Sequence, residues 1–214
     1  MSAIKLQKLL EKPGAQPPTH NQKICTPVLL SDSKGICLKK QVRTNASVEK
    51  QIVWWCEGGA SIQKQYRWLQ EHLETEVAHI RPIHLYIWLG TCNLTTKKGK
   101  FISLASHDST TVTLINDYIR KINDLVLSSA ECKVTVLEFP EYSIVSYNKK
   151  AGHNKPQNFT NEDTQLHQQI YQLNGEIRQI NQTLQIQSPE FTSDLKTKRT
   201  FRRRRRVITT LHKF

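Results

Sequence analysis

No stretch of this chain reaches the roughly eighteen consecutive apolar residues that a membrane-spanning helix needs, and residues 1–24 lack the apolar core of a secretory leader. The expectation is an intracellular protein, cytoplasmic or nuclear. Cysteine is scarce and unpaired: Cys25, Cys37, Cys56, Cys92 and Cys132 are an odd number without metal-knuckle spacing. Reduced thiols packed as small buried hydrophobes are therefore expected. No metal or cofactor motif accompanies them. Acidic residues are few, 18 Asp and Glu against 31 Lys and Arg, and the formal net charge is +13. With 37% hydrophobic residues in 214, the composition supports one core plus extensions and argues against several domains. Nothing in the pattern sets an oligomeric state.

Residues 1–24 read as an arm: a short amphipathic stretch (Ile4, Leu6, Leu9, Leu10) runs into Pro13, Gly14, Pro17 and Pro18, which stop a helix. A folded domain is expected over residues 25–190 and a basic tail over 191–214. Within the domain four short apolar runs stand out, 27–30, 51–56, 83–89 and 133–139, and the last two (IHLYIWL and KVTVLEF) lack strict alternation. Such runs suit strands covered on both faces, hence a parallel sheet. Helical stripes lie between and after them. Ile62, Tyr66, Leu69, Leu73, Val77 and Ile80 form one, with Ser61 as candidate N-cap. Ile115, Tyr118, Ile122, Leu125 and Val126 form a second, preceded by Asp108 and Ser109. A third runs from Leu166 through Ile170, Leu173, Ile177 and Ile180 to Leu184, and Thr160-x-x-Asp163 has the form of a capping box. Under three heptads long, it is expected to pack on the sheet rather than form a coiled coil. Alternating strands and helices imply right-handed crossovers and an α/β/α sandwich, whose ligands bind at the carboxyl ends of the strands.

Three polar, glycine-bearing turns fall at those ends: Ser31-Asp32-Ser33-Lys34-Gly35, Glu57-Gly58-Gly59-Ala60-Ser61 and Gly90-Thr91-Cys92-Asn93-Leu94. A serine on a tight turn after a strand can project its hydroxyl into the crevice, and glycines let backbone N–H groups approach a developing oxyanion. In order and separation the three turns resemble blocks one to three of the SGNH (GDSL-type) hydrolase superfamily over roughly residues 25–185. The resemblance implies a three-layer, flavodoxin-like fold and serine esterase chemistry on a small ester or acetyl substrate. Carried over by position, it makes Ser33 the nucleophile. The oxyanion hole would comprise the N–H of Ser33, the N–H of Gly58 or Gly59, and the amide of Asn93.

Three departures from that pattern are visible. Position 31 is Ser where the family usually has Gly. Cys92 stands where the third block has its asparagine, with Asn93 one place later. The family's Asp-x-x-His near the C-terminus does not occur in residues 186–214, where the last histidine, His212, has Thr209 three places before it. His153 and His167 read as surface histidines. The expectation is a poor enzyme, either a cropped member or an inactive relative.

Lys196, Lys198, Arg199 and Arg202, Arg203, Arg204, Arg205 and Arg206 carry most of the net charge. Five adjacent arginines cannot be buried together, and such a run reads as a nuclear-localisation or nucleic-acid contact, or as a solvated loop. The alternative to an esterase is thus a non-catalytic module that engages nucleic acid or an acidic partner through this tail. Trp54, Trp55, Trp68 and Trp88 read as core, and the Gln/Asn-rich residues 161–188 as helix surface.

Overall fold

The structure is a computed structural model that describes residues 25–42, 49–80, 82–129, 132–186 and 189. The arm at 1–24 and the arginine run lie outside the described residues. In chain order the elements are β1 (Thr26–Ser31), α1 (Ser33–Val42), β2 (Val53–Cys56), α2 (Ile62–Ile80), β3 (Ile83–Trp88) and a short α3 (Thr91–Leu94). There follow β4 (Thr95–Lys98), β5 (Phe101–Leu104), α4 (Thr110–Leu127), β6 (Lys133–Val136), α5 (Ile144–Lys150), a 3-10 turn at Pro156–Phe159 and α6 (Thr160–Thr183). No helix among the described residues is long and apolar enough to cross a membrane.

The central sheet is wholly parallel, in the order β2-β1-β3-β6, and β4 and β5 form a separate antiparallel hairpin. The crossover from β1 to β2 moves one way across the sheet and those from β2 to β3 and β3 to β6 move the other. Right-handed crossovers therefore put α1 on one face and α2 with α4 on the opposite face. Register agrees. Val28 pairs with Leu85 and Leu30 with Ile87, all essentially without exposure, on the face that α2 and α4 cover with Leu69, Leu73, Ile115, Ile119 and Ile122. On the α1 face Tyr86 and His84 are only half-buried, so β3 is not sealed on both sides as its composition suggested.

The expected sandwich is present, and the third helical stripe packs as expected, with Leu166, Ile170, Leu173 and Ile177 buried. Its amides are not all surface, contrary to what the composition of residues 161–188 suggests. Asn174 and Asn181 are buried, and each grips the outer edge of β6 or its extension. The Asn181 amide accepts from Val136 N–H (2.9 Å) and donates to Val136 C=O (2.8 Å). Asn174 does the same to Phe139 (2.7 and 3.0 Å). Asn174 and Asn181 lie about two turns apart on one helix face, so the pair meets both the last residue of β6 and the segment that follows it. The helix thereby stands in for a fifth strand. Asn148 clasps Ile102 of β5 in the same way (2.9 and 2.8 Å).

The capping expectations are met in part. Ser61 Oγ accepts from Lys64 N–H, and Asp108 Oδ1 from Thr110 N–H (2.9 Å). Thr160 and Asp163 do not form a capping box: Thr160 Oγ donates to Gln157 C=O, and Asp163 accepts from Ser143 Oγ–H and Ile144 N–H, capping α5 instead. The cysteines also depart from expectation. None of the five is fully buried and Cys37 is exposed.

Candidate active site

The carboxyl ends of β1 and β3 flank the point where the crossovers reverse direction, which is where an open parallel sheet opens a crevice. Ser31, the last residue of β1, is fully buried; its hydroxyl donates to Trp88 C=O (2.9 Å) and accepts from Gly35 N–H (3.1 Å). That bond draws α1 against the sheet. A Cβ on Gly35 would lie 2.5 Å from Cys56 Sγ and 2.6 Å from Ser31 Cβ, so only glycine allows the approach. Serine at position 31 is thus a fastening for the elbow.

Asp32 is fully buried. Its carboxylate accepts the Lys34 backbone N–H (2.9 Å) and pairs with Lys34 Nζ (2.6 Å). The same ammonium reaches Thr91 Oγ1 and lies 5.4 Å from the centre of the Trp88 ring. Burial lowers the Lys34 pKa, opposed by the adjacent Asp32 charge. The Cys92 thiol donates to Asp32 Oδ2 (3.8 Å), and burial together with that carboxylate pushes it upward. Tyr142, from the loop after β6, donates to Thr91 C=O (3.4 Å), and burial raises its phenol well above the ordinary range. The β1 and β3 turns are therefore tied through one Asp–Lys–Thr chain.

Ser33 is the first residue of α1. Its side chain is exposed, with no hydrogen-bond partner among the described residues, and no acceptor meets its N–H. A helix N-terminus favours negative charge at such a position. Gly58 sits beside the first turn of α1, its Cβ direction 3.6 Å from Ile36 Cδ1, and no acceptor among the described residues meets its N–H, whereas the neighbouring Glu57 N–H is used by Ser31 C=O (3.0 Å). Gly59 has φ +74° and nothing within 4 Å of its Cβ direction, so it faces open space. Asn93 is placed differently. Its Oδ1 accepts from Ile62 N–H (3.0 Å) and its Nδ2 donates to Gln63 Oε1 (2.7 Å), fastening α3 to the first turn of α2. Ser33 opens α1 and Gly58 packs beside its first turn, whereas the Asn93 amide is engaged on the first turn of α2. Among the described residues no histidine bonds to Ser33, Asp32 or Asn93, and no group of three His, Cys, Asp or Glu is placed to hold a metal ion.

The parallel order 2-1-3-6, with serine, glycine and asparagine turns gathered at its carboxyl edge, decides the architecture. The fold is a flavodoxin-like α/β sandwich built on a parallel sheet. No family model matches the chain, and no curated protein matches it. Among solved structures it is similar to the lipase/acylhydrolase from Enterococcus faecalis, at 11% identity over 81% of this chain and 80% of that one, with a TM-score of 0.46. It is also similar to the acetyl xylan esterase AlAXEase, at 15% identity over 73% and 81% of the two chains, with a TM-score of 0.35.

The residues that the sequence did not single out are Lys34, Thr91 and Tyr142. Lys34 was legible only as the residue after the serine, and nothing in its type or spacing shows that it folds back on Asp32. The thiols offer a direct check on this part of the structure. Cys56, half-buried behind Gly35, is raised by burial to about 11, so near pH 8 only about one thiol in a thousand is thiolate. Iodoacetamide at pH 8 is expected to modify exposed Cys37 first and Cys56 last, by peptide mass mapping; early labelling of Cys56 would contradict the packing of α1.

Proposed function

We propose that this chain is a hydrolase scaffold of the GDSL type that attacks small acyl or acetyl esters with Ser33, and that it does so slowly because no histidine among the described residues bonds to that serine. The observation that carries the reading is the exposed Ser33 hydroxyl at the first turn of α1, which has no hydrogen-bond partner among the described residues, with the N–H groups of Ser33 and Gly58 likewise without acceptors among them. In this reading Ser33 Oγ forms a bond to the ester carbonyl carbon and the carbonyl electron pair moves to oxygen. The two N–H groups and the α1 dipole stabilise that oxyanion. Collapse expels the alcohol and leaves an acyl-serine, which water hydrolyses. The serine proton passes to solvent. Asp32 and Lys34 hold each other and the β3 turn in place, and serve as positioning residues.

Loss of the histidine from a serine triad costs roughly a millionfold in turnover in subtilisin. Without a group of intermediate pKa to act as base, the rate is expected to rise with pH and show no plateau in the histidine range. Hydrolysis of p-nitrophenyl acetate by the chain and by Ser33→Ala tests this. The parent is expected to exceed the variant severalfold at pH 9, with acetyl on the peptide that contains Ser33 in the mass spectrum. Equal rates and no acetyl-serine would overturn the reading.

A second reading, of another class, is a non-catalytic module that binds nucleic acid or an acidic partner through Arg202–Arg206. It rests on the run of positive charge in the sequence.

A further inference from the structure

Away from the crevice, two segments distant in the chain meet to form a second cleft. Residues 95–104 and 144–159 together hold six lysines, Lys97, Lys98, Lys100, Lys149, Lys150 and Lys155, and no aspartate or glutamate. All six are exposed. The Asn148 clasp on Ile102 fixes the segments against each other, and Lys100 Nζ lies 3.7 Å from the Cβ direction of Gly152. Of the acids that flank these segments, Glu162 and Asp163 are turned inward, accepting from Leu104 N–H (2.6 Å) and Ile144 N–H (2.5 Å), and Asp108 and Glu141 are exposed beyond the segment ends. The positive charge on this surface is therefore not neutralised from within these segments.

Between the segments lies a cleft of about 520 Å³ lined by Lys100, Phe101, His153, Asn154, Lys155 and Asn158, with Gly152 at its wall. The floor is aromatic: the His153 ring meets Phe101 edge-on at 4.6 Å and Phe159 at 5.1 Å, and its Nδ1 accepts from Lys155 N–H (3.1 Å). Asn154 and Asn158 are exposed and bring amide donors and acceptors. Cations around an aromatic ring with free amides match a ligand that carries phosphates, a flat base and base-edge hydrogen-bonding groups together. A lipid headgroup or inorganic phosphate would use only the lysines. An acidic peptide would leave the amides and ring without a counterpart of that shape.

We propose that this cleft binds single-stranded nucleic acid, with the lysines meeting backbone phosphates and Phe101, Asn154 and Asn158 meeting one base. The assignment is independent of Ser33 and of the arginine run.

The test uses the full chain with Arg202–Arg206 all changed to glutamine, so that the tail arginines do not contribute, and fluorescence anisotropy with a labelled single-stranded oligonucleotide of mixed sequence. With about four phosphates engaged, log affinity should fall with log salt at a slope near −3. Lys100→Glu combined with Lys155→Glu is expected to lower affinity at least tenfold and flatten that slope by about one or more. Phe101→Leu, which keeps apolar bulk against His153, is expected to lower affinity about fivefold and leave the slope unchanged. Lys121→Glu on α4 and Ser33→Ala should each bind like the parent, within about twofold, and circular dichroism melts report that each variant is folded. Binding unaffected by the double lysine reversal would overturn the proposal. So would equal affinity for inorganic polyphosphate together with no effect of Phe101→Leu, which would make the surface a generic polyanion contact.

Discussion

Replacing Gly90 with alanine is expected to lower the melting temperature by roughly 10 °C. Two costs add there. Gly90 has φ +111°, where a Cβ costs about 1–3 kcal/mol. The Cβ would also lie 2.6 Å from Phe139 Cζ and 3.1 Å from Ile115 Cγ2, and both side chains are buried, so overpacking costs about 1–3 kcal/mol more. For a chain of this size each kcal/mol shifts the midpoint by about 2–4 °C. Gly99 supplies the contrast. It has φ +62° with nothing within 4 Å, so Gly99→Ala should show the backbone cost alone, about 1 kcal/mol. Phe139→Leu in the Gly90→Ala background should recover part of the loss. Differential scanning calorimetry of the four proteins decides: a Gly90→Ala midpoint within about 2 °C of the parent would show that the β3 turn is not shaped as described.

The second large effect concerns the sealed edge of β6. Asn181→Leu removes both partners of Val136 and leaves a buried N–H and C=O unmet, at about 1–3 kcal/mol each. Asn174→Leu does the same to Phe139. Each variant is expected to lose about 2–4 kcal/mol in urea unfolding. The double variant should also aggregate, because an uncovered edge strand is a template for another chain. Gln182→Leu, an exposed change on the same helix, should stay within about 0.5 kcal/mol and remain monodisperse by light scattering. Near-parent stability of both single variants would mean that water or another group serves the edge.

The parts of this architecture that were legible in the sequence are those dictated by periodicity. The IHLYIW run of β3 and the stripes of α2, α4 and α6 are decided by which faces must be buried, and burial has a period. Contacts made by single polar groups have none. Asn174 and Asn181 look like surface amides among glutamines, and only the nearby edge of β6 makes them interior. Asn93 is a similar case. Its neighbours in sequence put it one place from a family position, yet its amide is spent on Ile62 and Gln63, a meeting that depends on how α3 docks against α2. The β4–β5 hairpin escaped notice because Lys97–Lys100 has the composition of a loop, and Gly99 at positive φ turns it back on itself. α1 escaped for the opposite reason: Gly35 at its third position reads as a breaker, whereas its missing side chain is what admits the helix to the sheet. At the crevice the serine and glycine turns were legible, since strand ends carry them in a recognisable order. The Lys34 link was not, because a flexible side chain folds back two residues to Asp32 and reaches across 57 to Thr91.

The pair of amides on α6 also acts as a ruler. One inserted residue between positions 174 and 181 would swing one amide by about 100° relative to the other, away from the peptide group it serves. Changes in length before the first amide or after the second leave their mutual phase intact. Insertions in this helix are thus expected to be tolerated only outside residues 174–181, and the spacing of two asparagines keeps the end of β6 and the segment beyond it in step.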